Sequence, residues 1–146
     1  MKYILIVTVF FAVNPSVQGQ KEKIDSLVEH INNEELVGVC HYFWMLEMNS
    51  SAGKELIKIG KSSTDRLVNV LTDTSKGIIA HYILSNVWLD KVQTSNSWTR
   101  YESQGIIDYT IGPLCFYWSD KMKAEANDLL RNRGEWLRYF AKKNGR

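Results

Sequence analysis

The chain matches itself at an offset of forty residues, and no other feature constrains its architecture as strongly. Lys21, Asp25, Leu27, Val28, His41 and Tyr42 recur as Lys61, Asp65, Leu67, Val68, His81 and Tyr82, with Ile31 answered by Leu71 and Asn33 by Asp73. Stacked helical hairpins produce such a period, because one hairpin cannot bury its apolar face alone and leans on a copy of itself. Apolar spacing points the same way. Ile24, Leu27, Val28 and Ile31 fall at i, i+3, i+4 and i+7, which predicts an amphipathic helix ending at the Asn32-Asn33 turn. Leu36, Val39, Cys40 and Phe43 share that spacing and predict a second helix. In the next unit Leu67, Val68 and Leu71 predict one helix, Asp73 to Ser75 a turn, and Ile79, Ala80, Ile83 and Val87 the partner helix. Residues 21–48 and 61–88 are therefore expected to be two helical hairpins sharing one core.

Residues 1–19 stand apart and are expected to be a signal peptide. Lys2 precedes an eleven-residue apolar run from Tyr3 to Val13, followed by Asn14-Pro15 and the small-residue site Val17-Gln18-Gly19. The run is too short to span a bilayer, which takes about 20 residues. The expected product is one domain, residues 20–146, exported to the periplasm or secreted, with no transmembrane segment after cleavage. Removing residues 1–19 takes away Lys2 and no acid, so the formal charge falls from +2 to +1. So balanced a charge argues against a nucleic-acid partner. Arg131, Arg133, Arg138, Lys142, Lys143 and Arg146 nevertheless gather at the C-terminus against Glu135 alone, a pattern suited to a helix end or to an acidic partner.

Asn49 to Gly53 interrupt the periodicity, Glu55 to Ile59 form a short segment ending at Gly60, and Ser62 or Ser63 can cap the helix that follows. The run from Glu55 to Val87, with Leu56, Ile59-Gly60, Leu67, Leu71, Asp73, Ala80 and Leu84, resembles a HEAT-like repeat of the short bacterial type. That resemblance implies two antiparallel helices joined by a tight turn bearing an acidic residue, stacked with further units into a curved solenoid. It covers residues 21–48 more loosely. Residues 93–118 break the helical pattern. Gln93 to Trp98 is polar, and Ile106 to Trp118 is rich in β-branched and aromatic residues around Gly112-Pro113, consistent with a loop, a short β-hairpin or an ordered cap. From Ser119, a plausible N-cap, Met122, Ala126, Leu129, Trp136, Leu137 and Phe140 share one broad stripe and predict a capping helix. The expected fold is all-α, two HEAT-like hairpins closed by that helix.

Chemistry-bearing motifs are sparse. The chain has no Gly-rich phosphate loop, no His-x-x-x-His, no paired-cysteine motif and no G-x-S-x-G elbow. We therefore expect no catalytic residues, no metal site and no cofactor. His41 and His81 hold equivalent places in the two units, and stacked hairpins would bring them within roughly 10 Å. A small hydrolase or metal-dependent enzyme using both, with Glu47 or Asp90, is the alternative. Cys40 and Cys115 permit one intramolecular disulfide, which would add about 4–5 kcal/mol in the chain-entropy model. Tyr42, Tyr82, Trp98 and Tyr101 fall off the buried stripes or in the polar loop, and Tyr and Trp are enriched at binding hot spots. His41 with His81, and Tyr42 with Tyr82, would align as rows along the stack, Trp88 extending the first. The expected function is a non-enzymatic protein-binding module of the cell envelope or exterior, with an immunity or inhibitor role in view and an unidentified protein partner. A structural or carbohydrate-contacting envelope protein is the third reading. Mass spectrometry of the exported protein should find Gln20 at its N-terminus; an intact Met1 form in a soluble cytoplasmic fraction would contradict the leader.

Overall fold

The computed structural model describes residues 15–40, 44–89, 107–111, 114–118 and 122–145. Helix α1 (Pro15–His30) opens on Pro15, whose missing N–H lies where a helix has no use for one. It runs through the Gly19–Gln20 bond, and its first buried residue is Ile24. Ile24, Val28 and Ile31 line its inner side as the periodicity predicts. Its outer side is fastened by ions. Lys23 reaches Glu55 at 2.8 Å, Arg66 grips both oxygens of Asp25 at 2.6 and 2.8 Å, and Lys76 meets Glu29 at 2.9 Å. The Lys23 ammonium also holds the Glu55 carboxyl below its ordinary range. Such solvent-exposed pairs stabilise little one by one, but they fix the azimuth of α1 against the rest.

At Asn32 the chain turns into a 3-10 turn (Asn33–Glu35), with Glu34 N donating to the Asn32 side chain at 2.9 Å and Asn32 N to the Glu35 carboxylate at 3.1 Å. The expected second helix of the first unit does not follow. Strands β1 (Leu36–Cys40) and β2 (Trp44–Met48) form an antiparallel hairpin in which Leu36 faces Met48, Gly38 faces Leu46 and Cys40 faces Trp44. The local chemistry explains the departure. Val37 and Val39 are β-branched and flank Gly38, a combination that disfavours a helix interior and suits a pleated surface. Leu46 and Met48 are buried while Glu47 is exposed, the period of two that marks a half-buried strand. The two units therefore share their first helix and part company after it, and the two-hairpin stack is corrected to one helical hairpin preceded by a helix and a β-hairpin.

Asn49 N donates to Glu35 O at 2.8 Å to close the base of the hairpin. The fully buried hydroxyl of Ser50 then accepts from Gly53 N at 3.0 Å and starts α2 (Ser51–Ile59), which buries Ala52 and Leu56. Gly60 ends it at φ 71°, a conformation that costs glycine nothing. Ser63 stands at the N-cap of α3 (Thr64–Asn69), but its hydroxyl turns back to donate to Gly60 O at 2.7 Å within a 3-10 turn (Gly60–Ser63). Leu67, Val68 and Leu71 are buried as predicted. The Asp73 carboxylate accepts from Ser75 Oγ and Ser75 N, each at 2.7 Å, and these bonds hold it below the ordinary carboxylate range.

Helix α4 (Gly77–Trp88) is the centre of the molecule. Ile78, Ile79, Ala80, His81, Ile83, Leu84 and Ser85 are all buried, as a helix surrounded on most sides must be. Gly77 permits its start: a Cβ there would sit 2.4 Å from the Leu71 carbonyl oxygen. The N-terminus of α4 is capped from elsewhere in the chain. Asn33, itself buried, accepts from Ile78 N and Ile79 N through Oδ1 at 3.0 Å each and donates through Nδ2 to Thr74 O at 2.9 Å. Its own N–H donates to Ser75 O at 2.7 Å.

The region of residues 106–118 contains a β-hairpin, β3 (Ile107–Ile111) with β4 (Leu114–Trp118), closed at Ile111 and Leu114. A short β5 (Met122–Lys123) pairs with β4 and buries Met122. The capping helix is present as α5 (Ala126–Asn144). It begins at Ala126 rather than near Ser119, which lies outside the described residues, and it runs on through Gly134. The described residues are thus predominantly helical with two small antiparallel sheets. No described helix is long and apolar enough to cross a membrane. Asn33→Ala removes three side-chain hydrogen bonds and leaves two helix N–H groups buried, so it should lower unfolding stability by roughly 1–3 kcal/mol in urea titration, while Asn32→Ala, at an exposed cap, should cost less. Equal losses would show that the buried cap has no special weight.

Candidate functional site

Where α4 meets α5 the aromatic side chains gather, from His81 to Trp88. The Trp136 indole N–H donates to His81 Nδ1 at 2.9 Å, which requires that nitrogen to be unprotonated, and the rings meet edge to face at 5.9 Å. Phe140 stacks on Trp136 at 5.4 Å and meets Trp88 edge-on at 5.1 Å, while Tyr139 touches all three. The Tyr139 hydroxyl donates to Trp88 O at 3.3 Å, and Trp88 Nε1 donates to Thr64 Oγ1 at 2.9 Å. Residues on α3, α4 and α5 are bound together here. His81 is therefore a fully buried structural link between α4 and α5, placed beside a shallow cleft of about 210 Å³ that also includes Leu89, Glu135, Trp136 and Tyr139.

A larger cleft, about 500 Å³, opens between α3 and α5 on the outer side of the same cluster. Val68, Trp88, Leu137 and Phe140 form its apolar walls, and Lys61, Asp65 and Arg133 its charged rim. The Lys61 and Lys143 ammonium groups lie 4.7 and 4.8 Å from the centre of the Trp88 ring, so two cations crowd this aromatic ring of the cleft. Leu137, which lines the cleft, is 44% exposed, and Leu130, two turns earlier on α5, is 61% exposed. Sequence periodicity places Leu137 in the buried stripe of α5. The fold turns it outward, because the inner stripe is Leu129, Asn132 and Trp136. Asn132 is fully buried with neither amide atom hydrogen-bonded among the described residues, a cost of about 1–3 kcal/mol in stability.

The predicted row of binding residues is only partly assembled. His41, Tyr42, Trp98 and Tyr101 lie outside the described residues, and so does Asp90. The Cys40–Cys115 bridge falls outside the described side chains. With residues 36–40 and 44–48 folded as strands, the row cannot arise from two equivalent second helices. His81 is fully buried against Trp136. Tyr82 is half-buried and packs against the core cluster. Burial, and the Glu47 carboxylate across from it, push its hydroxyl above the ordinary 10.0. Of the predicted residues with described side chains, Trp88 alone lines the larger cleft. The sequence does not single out Leu130; it places Leu137 and Phe140 in the buried stripe, and Arg133 among the C-terminal cations suited to a helix end or an acidic partner. The described residues contain no group of three His, Cys, Asp or Glu side chains placed to hold a metal ion.

No protein-family model matches this chain, and neither a curated protein nor a solved structure does. The fold and the site therefore rest on geometry alone.

Tyr82 provides a check on its own placement. Its folded value lies above the unfolded one, so its contribution to stability is complete below about pH 10 and is lost as pH rises through the folded value. Tyr82→Phe should therefore flatten the fall in unfolding stability between about pH 9 and 11 in urea titrations. Parallel curves for the two proteins would place the hydroxyl in water.

Proposed function

We propose that this chain is a non-enzymatic protein-binding module of the cell envelope or exterior, and that it meets its partner along the cleft between α3 and α5. The observation that carries this reading is the exposed Leu137 in the wall of that cleft, with the exposed Leu130 two turns earlier on α5, and an apolar wall backed by the aromatic cluster of Trp88, Tyr139 and Phe140. Hot spots form where aromatic and apolar anchors sit in preorganised surroundings ringed by polar groups. Trp88 is held by Thr64, Phe140 and Tyr139, so engaging it costs little side-chain entropy. We retain the likeness to a HEAT-like hairpin for the unit Glu55–Val87 alone, as the scaffold behind this surface.

Export of the chain, with the leader ending at Gly19, is part of the same proposal. Val17 to Lys23 are exposed, so the described side chains on both sides of the proposed cut are accessible. An immunity or inhibitor role would place a toxin-like enzyme in the cleft. The enzyme alternative gains nothing from His81, whose Nδ1 already accepts from Trp136.

Leu130→Asp and Leu137→Asp test the reading without touching the core, since exposed substitutions of this kind usually change stability by no more than about 0.5 kcal/mol. A partner co-purifying with the wild-type chain from its native host should be lost or weakened at least about tenfold by either change, equivalent to about 1.4 kcal/mol. For an inhibitor, the partner's activity should fall on binding the wild type and recover with the variants. Retention of every partner by both folded variants would remove the cleft from the function.

A further inference from the structure

The chemistry of the rim identifies the partner segment more closely. Resting on the binding reading above, we infer that the cleft and its lip receive an acidic amphipathic helix of a partner protein.

Shape comes first. On α5, Leu130 and Leu137 are seven residues apart, which leaves them within about 20° of one another around the helix and about 10 Å apart along it. Gly134 lies between them, and a Cβ added there would meet nothing within 4 Å. Ala141, also exposed, continues the line. A second helix can therefore approach the α5 backbone closely at Gly134 and seat apolar residues at i, i+3 or i+4, and i+7 beside the two leucines, as a helix in a groove does.

Charge comes second and is independent of shape. Arg131 and Arg138 are engaged by Asp128 and Glu135 on α5 itself, on the side turned away from the cleft. Lys61, Arg133 and Lys143 differ. Among the described residues none of the three has a carboxylate partner, although other lysines and arginines of the molecule, Lys23, Arg66 and Lys76, are paired. Lys61 and Lys143 instead lie over Trp88, and Asp65 is the one acidic residue in the lining. Two cations in the lining, with Lys143 close by over Trp88, stand against one anion beside an apolar wall, which favours carboxylates flanking an apolar face and repels a basic one. Lys61 can turn to an incoming Asp or Glu without breaking an ion pair, while Lys143 also donates to the Tyr139 hydroxyl at 3.2 Å.

The test uses the full chain and a labelled synthetic helix of about 18 residues, about 27 Å long, with leucines on one face and Glu at its flanks. Otherwise identical peptides carry Gln or Lys at the flanking positions. In fluorescence anisotropy at low salt the Glu peptide should bind at least about tenfold tighter than the Gln peptide, and the Lys peptide should not bind measurably. The preference should shrink in high salt, as screened charge pairs must. Leu137→Asp should abolish binding of the Glu peptide, and the double variant Lys61→Glu with Arg133→Glu should reverse the order of the Glu and Lys peptides. Circular dichroism and thermal melts confirm that each variant is folded. Equal binding of all three peptides, or of none, overturns the inference, as does tighter binding to phosphatidylglycerol vesicles than to the Glu peptide, which would make the face a membrane surface. The two proposals fail separately. If the native partner is lost with Leu137→Asp yet binds the charge-reversed double variant undiminished, the binding surface stands and its acidic partner does not.

Discussion

The structure depends on the way the N-terminus of α4 is closed. A helix begins with N–H groups that have no partner within it, and α4 begins in the interior, where water cannot supply one. Asn33 supplies it from a turn more than forty residues earlier, with one side-chain oxygen shared between Ile78 N and Ile79 N and with the amide nitrogen on Thr74 O. A local capping residue cannot do this here, because Lys76 holds the N-cap position without a side-chain hydrogen bond. The cap also sets the distance between the end of α1 and the start of α4. Ile31 and Leu36 on either side of Asn33 are thereby carried into the same core as Ile78 and Ile79.

From that fixed start α4 runs through the core and delivers its last turn to the surface. Apolar residues on nearly every side leave it no fully exposed residue before Asn86, with only Tyr82 half-buried, so α1, α2, α3 and α5 can all be organised around one element. Farther along it is held by a different kind of contact, the indole to imidazole bond at His81 and the ring contacts of α5 that reach Trp88 at its far end. A hydrogen bond at one end and an aromatic cluster at the other orient the helix, and the cleft lies where that second anchorage meets solvent.

Much of this was legible in the sequence, and the failures have identifiable causes. The stripes Ile24, Val28, Ile31 and Leu67, Val68, Leu71 are local patterns, and local patterns survive folding. Leu36, Val39, Cys40 and Phe43 misled because a short apolar run fits a helix and a buried strand equally well; Val37-Gly38-Val39 and the alternation Leu46-Glu47-Met48 were the available signals against the helix. The forty-residue match reinforced the error, since it made Asn33 the counterpart of Asp73 when their tasks differ: Asp73 organises its own turn, and Asn33 caps a distant helix. His81 looked like a surface residue for the same reason. Its partner Trp136 is 55 positions away, a separation that no periodicity reveals. On α5 a count of hydrophobic residues included Leu137 and passed over Asn132, yet the fold buries the amide and exposes the leucine.

That exchange on α5 bears on what the helix is for. Burying Asn132 with neither amide atom hydrogen-bonded among the described residues opposes the docking of α5, while leaving Leu130 and Leu137 in water forgoes stabilisation of about 1.5–3 kcal/mol for each leucine that could have been fully buried. A helix selected only to seal the core would have the opposite arrangement. Rotating α5 to bury the leucines would withdraw Trp136 from His81 and separate Phe140 from Trp88, dismantling the anchorage at the end of α4. The aromatic contacts therefore determine the azimuth of α5, and the exposed leucines are a consequence of it. Arg133 shares their side of the helix and borders the same cleft. The face that the core cannot use thus combines apolar surface with positive charge, on a helix held too firmly by its inner face to turn away.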